Sequence, residues 1–233
     1  MTSGENEMTH ENERPDGAPR GNLGGPRGSA PVQQRLNDIF EVAAEQLHQR
    51  GFSRTRLDDI ADVLGVTRAA LYYYFKSKDD LIEFVCTENM DRAARVLEEA
   101  NREPGVLARL YSFARHYLPV ITADAAIVTI RERAELRPEF RRALMARAQK
   151  ISEGVEQIIQ DGVAEGVLQP ATDARVASLA LLGMLNWSSQ WYRNADIPLD
   201  DVVDAFLRVF LLGVAAPGAE KQLDQILEGV GLV

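Results

Sequence analysis

Apolar residues recur at helical spacing along most of the chain after residue 30. Leu57, Ile60 and Leu64, for example, follow one another at intervals of three and four residues, which is the stripe of an amphipathic helix. The first helix is predicted to end at Gly51, and another is predicted to begin at Pro104. One long helix is predicted from Thr172 or Asp173 to Arg193. Further helices are predicted over residues 77–100, 124–136, 138–166, 199–214 and 220–227. No window shows the two-residue alternation of a half-buried strand, so the predicted fold class is all-α.

One segment combines two short helical patterns with a glycine turn. Gly65 follows the first pattern and tolerates the backbone conformation of a tight turn between helices. Thr67 is suited to cap the second helix, in which Ala70, Leu71 and Phe75 are predicted to face inward. The outer face is predicted to hold Arg68, Ala69, Tyr72, Tyr73 and Tyr74. This layout is typical of a helix-turn-helix that reads DNA.

The residues from Gly65 to Leu81 read GVTRAALYYYFKSKDDL: a turn residue, a cap, an aromatic run ending in Phe75, two lysines and an acidic helix start. This segment resembles the recognition-helix signature of the TetR/AcrR family of one-component bacterial transcriptional repressors, and the resemblance is strong over residues 35–85. It implies a three-helix amino-terminal head with a helix-turn-helix and a helical-bundle carboxyl-terminal domain that binds a ligand and dimerises. The predicted units are a disordered tail (1–30), a DNA-binding domain (31–80) and a ligand-binding and dimerisation domain (81–233).

The position of Arg68 in the first turn of the second helix predicts a contact with a guanine in the major groove. The resemblance places Thr67, Ala69, Ala70, Tyr72 and Tyr73 in the same groove, and it places Tyr74 and Lys78, with Lys76 beside them, on phosphates. Thr55 and Arg56 lie at the start of the preceding helix, where exposed amides favour a phosphate. For Tyr72, packing of part of the ring in the core is an equally open alternative.

The chain has 233 residues, 45% of them hydrophobic and 26% charged, which is ordinary for a globular protein. Its formal net charge of −9 runs against DNA binding, since many nucleic-acid binders are basic. The local charge differs, because no acidic residue stands between Asp62 and Asp79, where Arg68, Lys76 and Lys78 lie. Salt screens charges beyond roughly 10 Å, so charge at the contact surface matters more than the total.

Several classes of protein are disfavoured by what the sequence lacks. No apolar run is long enough to span a membrane, and the amino-terminal segment has no signal-peptide core. One cysteine, Cys86, precludes an internal disulfide and fits the cytoplasm, and three scattered histidines give no metal-ligand spacing. We expect no cofactor and no enzymatic activity, since no catalytic arrangement stands at a usable spacing. A ligand-independent DNA-binding protein and a helical enzyme or lipid-binding protein are the alternatives.

The carboxyl-terminal half is predicted to sense an effector. Two tryptophans stand four residues apart in a segment expected to be one helix, after an arginine-rich stretch that spans residues 131–142. These features resemble the branch of the family that responds to acyl-coenzyme A, where an apolar tunnel takes the acyl part and arginines take the phosphates. The predicted ligand-binding residues are Phe113, His116, Tyr117, Arg131, Met184, Trp187 and Trp191. An uncharged hydrophobic effector, as in drug-response regulators, and a fatty acid are the alternatives.

The sequence also predicts how the protein dimerises and how an effector signal reaches the DNA-binding domain. Apolar residues 179–185 and 202–212 are too extensive to stay exposed on a soluble monomer, and they predict a homodimer through the last two large helices. The tryptophans have a second interpretation as part of this interface. The helix 77–100 is predicted to be the only element that contacts both domains, and it is expected to tilt when an effector binds.

Overall fold

The computed structural model describes residues 30–131, 134 and 136–214, and this part of the chain forms nine α-helices. The helices are α1 (Ala30–Arg50), α2 (Leu57–Val63), α3 (Arg68–Tyr74), α4 (Lys78–Ala100), α5 (Val106–Thr122), α6 (Asp124–Arg131), α7 (Pro138–Ala164), α8 (Ala174–Trp187) and α9 (Leu199–Val214). The predicted all-α class is confirmed. The predicted disordered tail and the predicted helix 220–227 lie outside the described residues, apart from Ala30.

Local capping fixes several helix starts where the sequence predicts them. The Thr67 hydroxyl accepts a hydrogen bond of 3.2 Å from the Ala70 amide at the start of α3. At the start of α4, Ser77 accepts from the Asp80 amide, and the Asp80 carboxylate accepts from the Ser77 amide, each at 3.1 Å. Asp173 caps α8 in the same way. These bonds satisfy amides that have no partner inside the helix.

Two predicted helix boundaries are wrong in the middle of the chain. The fifth helix begins at Val106 and not at Pro104, because Gly105 has a φ of 84°, which a right-handed helix does not accommodate. The sixth helix ends at Arg131 and not at Leu136. Residues 132, 133 and 135 lie outside the described part.

The prediction of one helix from residue 172 to Arg193 is also wrong. Helix α8 ends at Trp187, and the chain continues through two single-turn 3₁₀ segments. The reason is local, since the Ser188 hydroxyl donates to the Leu185 carbonyl at 2.6 Å and Ser189 makes the equivalent bond one residue later. Serine hydroxyls that bind backbone carbonyls in this way favour the end of a helix. We call residues 188–198, between α8 and α9, the connector.

The buried residues form two hydrophobic clusters. The head cluster contains apolar side chains of α1, α2, α3 and the first half of α4, as the family resemblance implies. It also contains Ala125 and Val128 of α6 and Leu144 of α7. Helix α4 is therefore not the only element that links the two halves of the molecule, because α6 and α7 also pack against the head.

The body cluster fills the space among α5, α7, α8, α9 and the second half of α4. Helix α7 approaches α4 closely where Gly154 faces Leu97, since a Cβ at this glycine would lie 2.3 Å from a Leu97 methyl carbon. Helices α4 and α7 each contribute side chains to both the head cluster and the body cluster. None of the helices in the described part is long and apolar enough to cross a membrane.

Candidate DNA-binding surface and effector region

Helix α3 is fixed against the head by Leu71 in its middle and by Phe75 directly after its end. Leu71 is buried in the head cluster, and Phe75 packs against Phe84 of α4 with ring centroids 5.1 Å apart. The turn before α3 passes through Gly65, whose φ of 63° favours glycine. These anchors leave the remainder of the helix directed away from the core.

The outer face of α3 is aromatic and basic. Tyr73 is 73% exposed and Tyr72 is 41% exposed, so part of the Tyr72 ring is covered and part remains on the outer face. Arg68, Ala69 and Ala70 are also exposed. The inward position predicted for Ala70 is wrong, because Leu71 is the one residue of α3 that turns into the core. The side chains of these five residues are thus accessible to a groove of DNA.

Arg68 is held by a neighbouring carboxylate. Its Nη2 contacts Oδ2 of Asp58, which lies near the start of α2 on the other side of the turn. The Asp58 side chain is largely covered, whereas that of Arg68 is mostly exposed. The pair fixes the direction of the arginine and places a negative charge beside it. Sequence reasoning missed Asp58, since its relation to Arg68 depends on how α2 and α3 pack.

Tyr74 and Lys76 continue the surface beyond the end of α3. Tyr74 is half-buried and meets the Tyr73 ring edge to face, with centroids 5.3 Å apart. Lys76 is exposed, and its Nζ donates to the Tyr72 carbonyl at 3.1 Å. Both side chains lie next to the exposed face of α3, and both are residues for which phosphate contacts are predicted.

Lys78 occupies a different environment from the one predicted. Its Nζ donates to the Phe52 carbonyl at 2.8 Å and lies 4.2 Å from the centroid of the Phe52 ring. The ammonium group therefore ties the start of α4 to the loop after α1 through a hydrogen bond and a cation–π contact. In this position Lys78 supports the head.

Of the two residues before α2, Thr55 is buried and Arg56 is exposed. Thr55 is 1% exposed, and its hydroxyl donates to the carbonyls of Gly51 at 2.9 Å and Gln46 at 3.3 Å. The Thr55 amide also has internal partners, the carbonyls of Gly51 and Phe52, each at 3.3 Å, so it is not one of the exposed amides that the sequence predicts there. Arg56 is exposed as the N-cap residue of α2, and its amide donates to Asp59 at 3.3 Å.

The predicted effector residues come together only in part. Phe113 and Tyr117 stack inside the body cluster with ring centroids 4.8 Å apart, and the Tyr117 hydroxyl donates to Oδ1 of Asn186 at 3.1 Å. Burial raises the pKa of Tyr117 to about 12. Met184 and Trp191 are half-buried and pack against the same cluster. All four residues belong to or border the body cluster, and we refer to them as the apolar centre.

The other predicted effector residues lie elsewhere. Trp187 is 68% exposed at the end of α8, and Trp191 follows in the connector, so the two tryptophans do not share a helical face. His116 is on the surface of α5, with its Nδ1 2.8 Å from the Ser112 carbonyl oxygen. The side chain of Arg131 lies outside the described residues.

The arginine-rich stretch is partly committed to ion pairs. Arg137 donates through Nε to Glu83 at 2.6 Å, and the pKa of Arg137 is raised chiefly by that hydrogen bond. Arg142 is exposed and Arg141 is half-buried. Arg133 lies outside the described residues. Arg137 thus ties α7 to α4, which leaves less of the stretch to bind a polyphosphate.

A surface hollow of about 440 Å³ lies along the connector. Its lining residues are Tyr192, Arg193, Asp196, Ile197 and Pro198. Asp196 has a φ of 49°, which is uncommon for a residue other than glycine. This hollow does not include any of the predicted effector residues.

Helices α8 and α9 present a second exposed face. Val176 and Leu179 on α8, and Val209 and Leu212 on α9, each expose more than half of their surface. Trp187 continues the row on α8. Sequence reasoning named this region but not these side chains, although residues 199–214 carry an apolar stripe broader than one core-facing side requires. We call Val176, Leu179, Val209 and Leu212 the aliphatic face, and Trp187 lies at its edge.

Comparisons with known proteins agree with this architecture. Residues 39–85 match the family described as bacterial regulatory proteins, tetR family, and residues 103–214 match the family described as tetracyclin repressor-like, C-terminal domain. The HTH-type transcriptional repressor KstR2 of Mycolicibacterium smegmatis is 27% identical over 204 residues, which cover 83% of this chain and 96% of that protein.

Two solved structures extend the similarity to the fold. A transcriptional regulator of the TetR/AcrR family from Thermobifida fusca is 30% identical, covers 77% of this chain and 98% of its own, and has a TM-score of 0.63. AibR in complex with isovaleryl coenzyme A and operator DNA is 25% identical, covers 75% of this chain and 97% of its own, and has a TM-score of 0.65.

Proposed function

This chain belongs to the TetR family of bacterial transcriptional regulators, and we propose that it is a repressor that binds a palindromic operator as a homodimer and dissociates when a small hydrophobic effector binds. The observation that carries the proposal is the exposed face of α3, where Arg68, Tyr72 and Tyr73 project from a helix anchored by Leu71. Arginine and tyrosine on a short, rigidly held helix suit contacts with bases and the sugar–phosphate backbone.

We assign DNA binding to residues 31–80 and effector binding and dimerisation to residues 81–233. Within the head, Arg68, Ala69, Ala70, Tyr72 and Tyr73 face the major groove together with Thr67. Phosphate contacts fall to Arg56, Tyr74 and Lys76, which lie at the edge of the same surface. Thr55 and Lys78 have internal partners, so we assign them supporting roles.

The aliphatic face supports the homodimer. Its side chains lie on two adjacent helices, and a two-fold axis beside them pairs each face with the same face of a second copy. Burial of these residues in a four-helix interface removes an apolar patch that a soluble monomer rarely tolerates. Trp187 belongs to this interface in our assignment, because it stands at the end of the exposed row.

For the effector we favour an acyl-coenzyme A thioester. Phe113, Tyr117, Met184 and Trp191 provide an apolar environment for an acyl chain, and the Tyr117 hydroxyl could donate to a thioester carbonyl in exchange for its bond to Asn186. The similarity to AibR, whose structure contains isovaleryl coenzyme A, supports this class of ligand.

An uncharged hydrophobic effector is the second candidate. The observation in its favour is the ion pair between Arg137 and Glu83, which withdraws one arginine from the stretch assigned to the phosphates. A regulator of an efflux gene is the corresponding biological role. These two candidates differ in the charge that the ligand carries, and this difference can be tested directly.

The experiment begins with DNA selected by the wild-type protein from a randomised pool. The selected complex is titrated with isovaleryl coenzyme A, a long-chain acyl-coenzyme A, the free acids and coenzyme A. Release by a thioester, and by neither its acid nor coenzyme A, supports the acyl-coenzyme A assignment. Release by uncharged hydrophobic compounds alone supports the second candidate, and release by none indicates a ligand-independent DNA-binding protein.

Matched methionine variants locate the effector. Met184→Lys places a charge beside the apolar centre and is expected to abolish the response while leaving operator binding intact. Met145→Lys is the control, because Met145 is exposed on α7. Thermal unfolding of both variants shows whether loss of response comes from loss of the fold. An unchanged response in a folded Met184→Lys protein would place the effector elsewhere.

A further inference from the structure

One carboxylate lies where the head, the body and the connector meet. Asp124 is the first residue of α6, and the next residues of this helix pack in opposite directions. Ala125 and Val128 are buried in the head cluster, whereas Ala126 is buried in the body cluster. A displacement of the start of α6 must therefore move side chains in both clusters.

The connector holds this point through Arg193. Its Nη2 lies 2.5 Å from Oδ1 of Asp124, and its Nε donates to the Thr122 carbonyl at 3.3 Å. Thr122 is the last residue of α5 and Asp124 the first of α6, so one guanidinium spans the junction between two helices. Its planar, forked donors make this double contact directional.

The head contacts the same carboxylate oxygen. His48 Nε2 lies 3.8 Å from Oδ1 of Asp124. His48 is in the last turn of α1, next to Leu47, which is fully buried in the head cluster. Asp124 therefore lies between a residue of the body and a residue of the DNA-binding head, and both side chains contact it.

We propose that Asp124 couples the connector to the DNA-binding head, so that displacement of Arg193 changes the orientation of the head and lowers operator affinity. This deepens the proposed function and rests on it, since it names the route of regulation. The connector also lines the surface hollow. Trp191, which is another residue of the connector, contacts the ring of Phe206 in α9. Changes in the body thus have a direct path to Arg193 that does not require a tilt of α4.

The expected effect follows from the geometry of a dimer on DNA. Two heads must reach successive major grooves about 34 Å apart on one face of the duplex. A head that is no longer held through Asp124 samples more orientations, and only some of them fit both half-sites. The apparent affinity for a full operator falls by the fraction of competent orientations, whereas the affinity for an isolated half-site is insensitive to head spacing.

The test is a set of glutamine and asparagine variants measured on full-operator and half-site DNA. Arg193→Gln is expected to weaken binding to the full operator by about three- to tenfold and to leave half-site binding unchanged. His48→Gln and Asp124→Asn are expected to weaken binding to the full operator in the same way. Arg102→Gln is the matched control, because Arg102 is exposed in the turn after α4.

A double-mutant cycle then identifies Asp124 as the connecting residue. In a protein that keeps Asp124, the effects of Arg193→Gln and His48→Gln on operator affinity should be non-additive. In the Asp124→Asn background, neither substitution should lower the affinity further. Equal weakening on full-operator and half-site DNA would show a general loss of head structure and overturn the proposal. Wild-type affinity of Arg193→Gln for the full operator, or simple additivity with Asp124→Asn, would overturn it as well.

The outcomes separate this proposal from the proposed function. If the wild-type protein selects no DNA sequence from the pool, the repressor assignment fails before any variant is compared. If it selects an operator and Arg193→Gln binds this operator normally, only the coupling through Asp124 fails. Sedimentation of every variant confirms that a change in affinity does not come from loss of the dimer.

Discussion

Two exposed surfaces of the described part, the outer face of α3 and the aliphatic face of α8 and α9, have opposite chemistry. The α3 face combines tyrosine rings with Arg68 and nearby Lys76, so each apolar ring lies close to a cation or a hydroxyl. The aliphatic face exposes Val176, Leu179, Val209 and Leu212, whose side chains can form no hydrogen bond. Exposure alone therefore does not distinguish the two surfaces, but chemistry does.

This difference teaches what each surface can bind. Tyrosine and arginine retain polar ends in a wet interface, so they suit a charged and hydrated duplex. Aliphatic side chains gain only from exclusion of water, so they require a complementary apolar surface, which a second copy of the same face would provide in the proposed homodimer. If the assignment is right, a substitution on one face should leave the activity of the other intact.

The largest effect is expected on the aliphatic face. Val209→Asp places two carboxylates in the proposed two-fold interface, and burial of unpaired charges should weaken the dimer by about a hundredfold or more. Val63→Asp is the control, because Val63 is similarly exposed but lies on α2. Sedimentation at micromolar concentration measures both, and an intact Val209→Asp dimer would refute the interface.

The next largest effect is expected on α3. Arg68→Ala should weaken operator binding by about 1–3 kcal/mol, roughly five- to 150-fold, and should change random-DNA binding little, since a base contact carries specificity. Arg56→Ala is the comparison, because a phosphate contact should affect both kinds of DNA equally. Fluorescence anisotropy with both duplexes provides the measurement. A proportional loss on both duplexes in Arg68→Ala would remove Arg68 from the groove.

The two lysines beside α3 are expected to act differently. Lys78→Ala should lower the free energy of unfolding by about 1–2 kcal/mol, because it removes the hydrogen bond and the cation–π contact with Phe52. Lys76→Ala should leave stability nearly unchanged and should lower the salt slope of DNA binding by about one unit. Denaturant titration and salt-dependent binding measure the pair. Exchanged phenotypes would show that Lys78 leaves Phe52 to reach a phosphate.

The smallest effect is expected for Asp58→Asn. Loss of this carboxylate releases Arg68 and removes a negative charge near the DNA, so random-DNA affinity should rise by about threefold. Operator affinity should rise less, because Arg68 loses the contact that fixes its direction. The ratio of the two affinities is the measured quantity. An unchanged ratio would mean that Asp58 has no role in specificity.

The head was predictable in detail because its signals are local. Thr67 and Ser77 cap helices by binding amides three residues away, and Gly65 accepts the positive φ of the turn between α2 and α3. Leu71 and Phe75 are inward at a helical spacing that the sequence displays. Interactions of this range depend on neighbouring residues alone, so the helix-turn-helix and most of its outer face follow from the sequence.

The roles of Thr55 and Lys78 were not predictable because their partners are distant. The Thr55 hydroxyl donates to a carbonyl of α1 nine residues away, and Lys78 at the start of α4 donates to a carbonyl 26 residues away in the loop after α1. Both contacts depend on how this loop folds back on the helices around it. A family pattern records that a lysine stands at position 78. It does not record that the ammonium group is directed at Phe52 in this chain.

The sequence by itself determined the helical class, the helices of the head with their turn at Gly65, and the apolar character of the last two large helices. Each of these depends on the spacing of apolar residues and on capping within a few positions. The tertiary structure alone decided that Trp187 lies outside while Trp191 packs inside, and that His48 and Arg193 meet at Asp124. These contacts join segments far apart in the chain, and their geometry depends on how whole helices pack.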